Sequence, residues 1–416
     1  MSTDRIHAHY VIETGGSLES AAAAMAGEQS TGTFVALPGE TPELHARHAA
    51  TVERITPLDD AVVPSLSGAV ASADSRYRRA EVELSFPLEN VGTALPNLLA
   101  TVAGNLFELQ QLSGIRLEAL DLPPAFGAAH PGPQFGIEGT RRLAGVQDRP
   151  IIGTIIKPSV GLTPDETAAL AGDLARAGLD FIKDDELMAN SPHSPFDERL
   201  SAVMHSLQDA ADDTGALAMY AVNVTDELDE MLRHVDAVAE AGGTCVMVSV
   251  NAVGLGALRA VRERSSLPIH AHRNGWGAMT RHPLLGYSYA VWSQLWRLAG
   301  ADQLHVNGLR NKFWEPDASV LRSARACLRP ENGHPAVMPV FSSAQSADQA
   351  ADTYAALGTV DLMYVCGGGI MAHPDGPAAG ATSIRQAWRA AVDGVPASEY
   401  AQTHAELAAA LSLFAR

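Results

Sequence analysis

A repeated alternation of short apolar segments and amphipathic helices constrains the fold of this chain most. From residue 151 onward, eight apolar runs of strand length each precede a segment with helical periodicity. Strands are predicted at 151–156, 179–182, 218–224, 245–250, 267–271, 303–306, 337–341 and 362–365. Eight strand–helix pairs in about 245 residues match the number and length of a (β/α)₈ TIM barrel.

An open, doubly wound α/β sheet is the alternative architecture, because it shows a similar alternation. Its dinucleotide-binding version carries Gly-x-Gly-x-x-Gly after the first strand, and the segment after residue 156 lacks that motif. Thr163, Pro164 and Glu166 instead form the pattern of a capped helix start. We therefore predict a barrel over residues 150–395.

The residues before the barrel follow a different order. Strands are predicted at 7–13, 33–37, 79–86 and 115–122, and helices at 18–25 and 95–109. This order predicts an N-terminal α+β domain of ferredoxin-like type over residues 1–125. Prolines and glycines indicate a linker at 126–149, and a last amphipathic helix is predicted within 396–416.

Charge, cysteine content and hydropathy argue against nucleic-acid binding, disulfide or zinc frameworks, and membrane insertion. The formal net charge of −19 disfavours binding to nucleic acid or to an anionic membrane. Three scattered cysteines are too few for a disulfide framework or a zinc site. No apolar stretch is long enough to span a bilayer, and the first residues lack a signal-peptide pattern. We expect a soluble, cytoplasmic protein in which an anionic substrate needs a locally positive pocket.

The most unusual stretch is Gly-Leu-Asp-Phe-Ile-Lys-Asp-Asp-Glu at 178–186, where a predicted strand runs into four consecutive charges. Such charges are costly to bury unless they are paired, hydrogen-bonded or bound to a metal. Asp185 and Glu186 offer the hard oxygen ligands that Mg²⁺ prefers. A solvated loop is the simpler interpretation when this stretch is considered by itself.

Polar residues also follow the other predicted strands. In a barrel, the residues at the C-terminal ends of the strands are the catalytic candidates. Candidates at these ends are Lys157, Ser159, Asn223, Thr225, His270, His272, Arg273, His305, Lys312, Ser342, Ser343, Gly367, Gly368 and Gly369. Each is ordinary alone, since a single histidine is more often a core residue and a glycine run is often a turn. Their common placement favours a catalytic site over a set of solvated loops.

These residue types suggest one chemistry. Carboxylates would hold Mg²⁺, which polarises a substrate carbonyl. A lysine whose pKa is lowered by burial and by the metal would take a proton beside that carbonyl and leave an enediolate. Backbone N–H groups of the glycine run, with donors from Arg273 and Ser342, would bind a phosphate. Two carboxylates make a sparse metal site unless a third anionic ligand joins them.

The stretch 178–186 resembles the metal-binding segment of the RuBisCO superfamily. In that family the lysine is carbamylated by CO₂, which supplies the third anionic ligand. The resemblance implies that Lys183, as a carbamate, binds Mg²⁺ together with Asp185 and Glu186. The stretch Gly-Thr-Ile-Ile-Lys-Pro at 153–158 is similar to the family's first-strand motif and implies that Lys157 is the proton-transfer lysine.

Other motifs extend the resemblance. His-Ala-His-Arg at 270–273 is similar to the family's fifth-strand motif, and Lys312 follows His305 by the family's seven-residue spacing. The resemblance implies catalytic roles for His272 and Lys312. It implies contacts with substrate or phosphate for Arg273, His305, Ser342, Gly367 and Gly368.

Two N-terminal segments look like those that a neighbouring subunit contributes to the active site in this family. They are Gly-Glu-Gln-Ser-Thr-Gly-Thr-Phe at 27–34, through Glu28 and Thr33, and Gly104-Asn105. The resemblance therefore implies a homodimer with shared active sites, or a higher oligomer built from such dimers.

Several positions depart from the pattern of the family's carboxylases. Ser159 stands where they have a lysine, and Ser343-Ala344 where they have two glycines. Phe34 replaces a tryptophan, and Trp276 replaces a histidine. These changes argue against carboxylation of ribulose bisphosphate, so the chain resembles the non-carboxylating RuBisCO-like proteins.

The resemblance implies an Mg²⁺-dependent enzyme that forms a metal-stabilised enediolate on a phosphorylated keto-sugar or keto-sugar acid. We favour decarboxylation of a 3-oxo sugar acid phosphate such as 3-oxo-isoapionate 4-phosphate, with Lys312 binding the departing carboxylate. The alternative is an isomerase or enolase that acts on 5-methylthioribulose 1-phosphate or a related methylthio-sugar phosphate. A non-catalytic binding protein and a true carboxylase are the remaining hypotheses.

Overall fold

The computed structural model describes residues 4–32, 37 and 39–414 of the chain. Its residues cluster into two compact units. One unit contains Met1–His130 and Gly275–Leu295, and the other contains Pro131–Asn274 and Trp296–Arg416. The domain limits expected from the sequence, at residues 125, 149 and 395, stay a prediction.

The first unit is built on a five-stranded sheet. In spatial order its strands are Leu285–Tyr287, Leu112–Asp121, Arg5–Thr14, Tyr77–Pro87 and Thr51–Ala61. The last four pair antiparallel, and only the short strand Leu285–Tyr287 pairs parallel to its neighbour. The order of the four long strands is the ferredoxin-like arrangement, which confirms the predicted α+β fold.

Helices of this unit lie in the connections between strands. They are Leu18–Glu28, Pro42–His48, Leu88–Val91, Leu95–Ala103, Pro124–Ala128 and Trp276–Thr280, with a 3₁₀ turn at Asn105–Glu108. Alternate residues of the first strand, such as Ile6, Ala8 and Ile12, are buried because successive side chains point to opposite faces. The buried Tyr10 hydroxyl donates to the Val102 carbonyl at 2.6 Å and ties the sheet to its helix.

The second strand of this sheet was not predicted from the sequence. Thr51–Ala61 is an edge strand that is exposed over most of its length, so it shows no apolar alternation. It also contains Pro57, which only an edge strand tolerates well. Residues 33–36 of the strand predicted at 33–37 lie outside the described residues.

The second unit contains a closed barrel of eight parallel strands. They are Ile151–Ile155, Phe181–Lys183, Met219–Asn223, Cys245–Ser249, Ile269–His272, Gln303–His305, Met338–Phe341 and Met363–Val365. The eighth strand pairs with the first, Met363 opposite Ile151, and so closes the barrel. The predicted (β/α)₈ barrel is confirmed, and the open sheet is excluded.

Helices surround these strands. They are Gly136–Ala144, Pro164–Arg176, Phe196–Thr214, Leu228–Glu240, Val250–Arg264, Asp317–Cys327, Ala350–Leu357, Gly368–Met371, Gly376–Asp393, Ala397–Tyr400 and Ala405–Phe414, with a 3₁₀ turn at Ala347–Gln349. Thr163 and Glu166 cap the second of them with the predicted capping box. A further helix, Tyr289–Ala299, follows the short strand Leu285–Tyr287 along the chain.

A cluster of apolar side chains fills one part of the barrel interior. Phe181, Met219, Met247 and Val340 are fully buried in one cluster. Because that layer is closed, ligands can be bound only at the ends of the strands. Within residues 4–32, 37 and 39–414, none of the helices combines the length and the apolar character that crossing a bilayer requires.

Candidate active site

Most of the charged run at the end of the second barrel strand is buried, and only Glu186 is partly exposed. Lys183 and Asp185 are each 1% exposed, and Asp184 is inaccessible. Lys183 Nζ donates to the Asp184 carbonyl oxygen at 2.8 Å and lies 3.5 Å from Glu186 Oε2. These side chains are therefore not those of a solvated loop, which was the simpler interpretation of the sequence.

Lys157, at the end of the first strand, reaches this group. Its Nζ donates to Asp185 Oδ2 at 2.6 Å and to Ser159 Oγ at 2.7 Å. Ser159, which stands where the family's carboxylases have a second lysine, thus accepts a hydrogen bond from the Lys157 ammonium group. The predicted proton-transfer lysine and the predicted metal ligands lie together.

Asp184 has a different environment from its neighbours. The Tyr220 hydroxyl donates to its Oδ1 at 2.5 Å, the backbone N–H of Asn223 donates to its Oδ2 at 2.9 Å, and Arg199 Nη2 lies 3.5 Å from it. Because its oxygens are already hydrogen-bonded by buried protein groups, Asp184 stabilises the fold locally and is not a candidate ligand.

Two residues fix the backbone that carries Asp185 and Glu186. Asn223 Nδ2 lies 3.3 Å from the carbonyl oxygens of both residues. Arg199 donates to the carbonyl oxygens of Met188 and Ala189, just beyond them. From the sequence, Asn223 was a candidate only through its position at a strand end. Arg199 was not predicted, because no local pattern reveals contacts with residues ten and more positions away.

His272 faces the same carboxylates from the fifth strand. Its Nε2 lies 3.5 Å from Glu186 Oε2, and its ring packs against that of His305, with the centroids 4.5 Å apart. Burial lowers the pKa of His272 to about 4, against the opposing effect of Glu186. The imidazole is therefore neutral near pH 7 and can accept or donate a hydrogen bond.

Burial also lowers the pKa of the Lys183 ammonium, although the carboxylates of Glu186, Asp185 and Asp184 oppose that effect. Burial acts to raise the pKa of the Glu186 carboxyl, but the facing His272 and Lys183 outweigh it and lower that pKa. The site thus favours an ionised carboxylate beside an amine that loses its proton readily. An unprotonated amine is the form that adds to CO₂.

The fifth, sixth and seventh strands bring further predicted residues together. His305 Nδ1 lies 3.0 Å from Ser342 Oγ. Arg273 Nη2 donates to Glu315 Oε2 at 2.7 Å, and Asn307 Nδ2 donates to the same oxygen at 2.7 Å. Glu315 is buried and was missed from the sequence, because it lies in a loop beyond Lys312 rather than at a strand end.

The loop after the seventh strand keeps a backbone that suits glycine. Ser343 has φ of 71° and Ala344 has φ of 68°, a left-handed conformation that is costly for residues with a Cβ. Ser343 Oγ donates to Asn307 Oδ1 at 2.9 Å, and its carbonyl accepts from the backbone N–H of Lys312. This backbone conformation is one that two glycines would adopt without strain, and here it carries two side chains.

The remaining predicted residues of the barrel unit lie in two loops. The Lys312 side chain is exposed, and its Nζ lies 5.3 Å from the centroid of the Phe313 ring. Gly367 and Gly368 begin the short helix Gly368–Met371. Gly369 must be glycine, because a Cβ there would lie 2.4 Å from the Gln345 carbonyl oxygen.

The N-terminal unit holds the residues predicted to complete a neighbour's site. Asn105 Nδ2 donates to Glu28 Oε1 at 3.0 Å, so these two are brought together on an exposed surface. Thr33 and Phe34 lie outside the described residues. Trp276, which stands where a histidine was expected, is 2% exposed and stacks on Trp292.

The residues of the charged run fit a magnesium ion under one condition. Within the part of the chain that the structure describes, no three His, Cys, Asp or Glu side chains are arranged to hold a metal. Asp185 and Glu186 supply two hard oxygen ligands. The buried Lys183 amine beside Glu186 can supply the third if CO₂ converts it to a carbamate.

Family comparisons match nearly the whole chain. The sequence model of the ribulose bisphosphate carboxylase large chain, catalytic domain, matches residues 136–414, and that of its N-terminal domain matches residues 2–126. The chain belongs to the RuBisCO large-chain family. The resemblance inferred from the sequence motifs is thus confirmed.

Individual relatives place the chain among the RuBisCO-like proteins. It is 54% identical to the "3-oxo-isoapionate-4-phosphate transcarboxylase/hydrolase" of Xanthobacter autotrophicus, over 99% of this chain and 100% of the relative. It is 48% identical to the "3-oxo-isoapionate-4-phosphate decarboxylase" of Rhizobium etli, over 97% of each chain. The crystal structure of a RuBisCO-like protein from Burkholderia fungorum has 46% identity and a TM-score of 0.92, and the match covers 99% of this chain and 100% of that one.

Proposed function

We propose that this RuBisCO-like protein is an Mg²⁺-dependent decarboxylase of a phosphorylated 3-oxo sugar acid of the 3-oxo-isoapionate 4-phosphate type. The observation that carries the proposal is the cluster of Lys157, Lys183, Asp185 and Glu186, in which Lys183 and Asp185 are buried. The printed names of relatives at 48% and 54% identity support the substrate class.

Lys183 as a carbamate, Asp185 and Glu186 would hold the magnesium ion. When bound there, Mg²⁺ would supply positive charge that neutralises the developing charge on the carbonyl oxygen of the substrate. Asn223 contacts the backbone carbonyls of both carboxylate residues, and Arg199 binds the Met188 carbonyl just beyond them, so the ligands need little reorganisation when the ion binds.

Lys157 is the proposed proton donor. As the bond between the carboxylate and the neighbouring carbon breaks, its electron pair passes towards the 3-oxo group and CO₂ leaves. The resulting enediolate carbon takes a proton from Lys157 Nζ, which Ser159 and Asp185 hold at hydrogen-bond distance. Solvent then returns the proton to the lysine.

The other residues bind and orient the substrate. The neutral His272 hydrogen-bonds to a substrate oxygen beside Glu186, and Lys312 attracts the departing carboxylate. Arg273 and the backbone N–H groups of Gly367 and Gly368 bind the phosphate. These groups supply the locally positive environment that an anionic substrate needs on a chain of net charge −19.

A second candidate function is transcarboxylation with hydrolysis on the same substrate class. The relative that carries this name shares 54% identity, which exceeds the 48% of the decarboxylase. Transfer of the carboxyl group would keep its carbon in an organic product, whereas decarboxylation releases that carbon as CO₂.

One labelled substrate separates these functions. We would supply 3-oxo-isoapionate 4-phosphate, ¹³C-labelled at its carboxyl carbon, with Mg²⁺ and unlabelled bicarbonate, and follow the ¹³C spectrum. Label in CO₂ and bicarbonate supports the decarboxylase, and label in a product acid supports the transcarboxylase/hydrolase. An unchanged spectrum, with deuterium exchange into 5-methylthioribulose 1-phosphate in D₂O, would contradict both and support the isomerase hypothesis.

We also propose a homodimer in which Glu28, Thr33 and Asn105 of one subunit complete the active site of the other. Glu28→Gln should inactivate the protein without unfolding it, because the side chain is exposed. A mixture of the inactive Glu28→Gln and Lys183→Ala variants should regain up to about a quarter of the activity through hybrid dimers. A fully active monomer, or no recovery after verified subunit exchange, would contradict the shared site.

A further inference from the structure

A continuous set of hydrogen bonds crosses the barrel interior from Gln303 to Ser342. His270 Nδ1 lies 2.8 Å from Gln303 Oε1, His270 Nε2 lies 2.7 Å from His305 Nε2, and His305 Nδ1 lies 3.0 Å from Ser342 Oγ. We call these four residues the histidine relay. The proposed function assigns no role to Gln303 or His270.

The direction of every proton in the relay follows from its first member. An amide oxygen only accepts, so His270 Nδ1 carries a hydrogen that it donates to Gln303 Oε1. A neutral His270 then has a bare Nε2, and the proton between the two Nε2 atoms belongs to His305. His305 Nδ1 is therefore bare, and it accepts the hydroxyl proton of Ser342.

The surroundings of Gln303 support this orientation of its amide group. Gln303 Nε2 lies 3.5 Å from Met219 Sδ and 3.5 Å from Thr140 Oγ1, while Oε1 lies 3.9 Å from Cys245 Sγ. Exchanging the amide oxygen and nitrogen would place an acceptor against the thioether sulfur, which also only accepts. The observed orientation instead faces the sulfur with a donor.

The relay is built to hold protons in place. His270 is inaccessible to solvent and His305 is 3% exposed. The relay ends in a neutral amide, so it contains no carboxylate to stabilise an imidazolium ion, as a relay that activates a serine nucleophile requires. Ser342 is consequently oriented by His305 and not deprotonated by it.

We propose that Gln303 and His270 are positioning residues that fix His305 as its Nε2–H tautomer and turn the Ser342 hydroxyl proton towards His305. Ser343 directs its own hydroxyl proton to Asn307 Oδ1. A phosphate oxygen therefore finds no hydroxyl donor at Ser342, and phosphate binding is left to Arg273 and the glycine backbone. Only this last consequence rests on the proposed function.

The first test is NMR of the full-length protein with ¹⁵N-labelled histidine side chains, without substrate. Signals are assigned by their loss in His270→Gln and His305→Gln. The expected spectrum shows both rings neutral, with the proton on Nδ1 of His270 and on Nε2 of His305. A proton on His305 Nδ1, or an imidazolium at either ring, would overturn the proposal whatever reaction the protein catalyses.

The second test uses variants at the far end of the relay. Gln303→Leu removes the acceptor for His270, so the tautomer of His305 should change and kcat/KM should fall roughly tenfold, the effect of one hydrogen bond. Gln208→Leu, an exposed glutamine outside the relay, is the matched control and should change neither. A Gln303→Leu protein that folds and keeps the wild-type His305 signals would contradict the proposal.

A pair of substitutions at His270 distinguishes positioning from packing. His270→Gln can place an amide oxygen where Nε2 accepts from His305, so it should keep the His305 tautomer and most of the activity. His270→Leu fills the space without an acceptor and should lose both. If the two variants changed the His305 tautomer and kcat/KM to the same extent, the His270 ring would act through packing alone.

Discussion

Two of the buried charged side chains in the barrel unit, Asp302 and Lys183, differ in how completely they are hydrogen-bonded. Asp302 is inaccessible, and its two oxygens accept from the backbone N–H groups of Phe135, Gly136 and Ile269 and from Arg262 Nη1, at 2.6 to 3.1 Å. Every favourable position around this carboxylate is occupied by a protein donor. We conclude that Asp302 stabilises the fold.

Lys183 is as deeply buried but lacks such saturation. Its ammonium has one peptide carbonyl, the sulfur of Met247 and a carboxylate 3.5 Å away. Burial raises the pKa of Asp302 and lowers that of Lys183. Burial alone therefore does not distinguish a structural charge from a functional one, whereas the completeness of its hydrogen bonding does.

Removal of the lysine should have the largest effect and should separate the two groups most clearly. Lys183→Ala should lower kcat more than about a thousandfold, because several kcal/mol of metal stabilisation is lost. The free energy of unfolding should not fall, since a poorly solvated amine is removed. Steady-state kinetics with Mg²⁺ and bicarbonate, together with urea unfolding, measure both. Retained activity would refute the metal site.

Lys157 differs from both Asp302 and Lys183, because its side chain is 41% exposed while its ammonium group contacts a predicted metal ligand. Lys157→Met should lower kcat by about 10²- to 10⁴-fold, the contribution of a positioned proton donor. Ser159→Ala removes one acceptor from the same ammonium and should cost roughly tenfold or less. If Ser159→Ala were as damaging as Lys157→Met, the serine rather than the lysine would be the group that reacts.

The opposite result is expected at Asp302. Asp302→Ala leaves the buried Arg262 without its carboxylate partner and should lower the free energy of unfolding by about 3–5 kcal/mol. Activity per folded molecule should stay unchanged, because the carboxylate contacts no proposed substrate group. Unfolding in urea and active-site titration separate these quantities. A loss of kcat in fully folded protein would break the distinction.

Much of the site could be predicted because barrel strands are short, apolar and buried on both faces. Each strand end is therefore marked in the sequence by a change from apolar to polar residues. Lys157, Lys183, Asp185 and Glu186 were each found in this way, and the structure brings them together. The family assignment followed from the same motifs.

The partners of these residues could not be predicted. Asp184 and Asp185 are adjacent and chemically identical, but only Asp184 receives the Tyr220 hydroxyl from another strand. Glu315 pairs with Arg273 across 42 residues, and no local pattern marks such a contact. Thr51–Ala61 was missed because a mostly exposed edge strand lacks the alternation that identifies a strand.

A smaller effect, on the pH dependence of the free energy of unfolding, is expected at His234, a buried histidine away from both Asp302 and Lys183. Its side chain is 1% exposed and stacks on Phe196, with Asp226 and Glu230 about 4 Å away. Burial lowers its pKa despite these carboxylates, with the Arg233 charge acting in the same direction. The unfolded chain therefore takes up the proton first, and stability is lost as pH falls below about 6.5, by at most about 1.4 kcal/mol per pH unit.

His234→Phe removes the titrating group but keeps an aromatic ring on Phe196, so the free energy of unfolding should fall less steeply between pH 6.5 and 5 than in the wild type. His205→Gln, at a histidine whose side chain is 81% exposed on a neighbouring helix, should leave the slope unchanged. Urea unfolding at a series of pH values measures both slopes. If His234→Phe kept the wild-type slope, the carboxylates near His234 would already compensate its burial, and it would belong with the saturated groups such as Asp302.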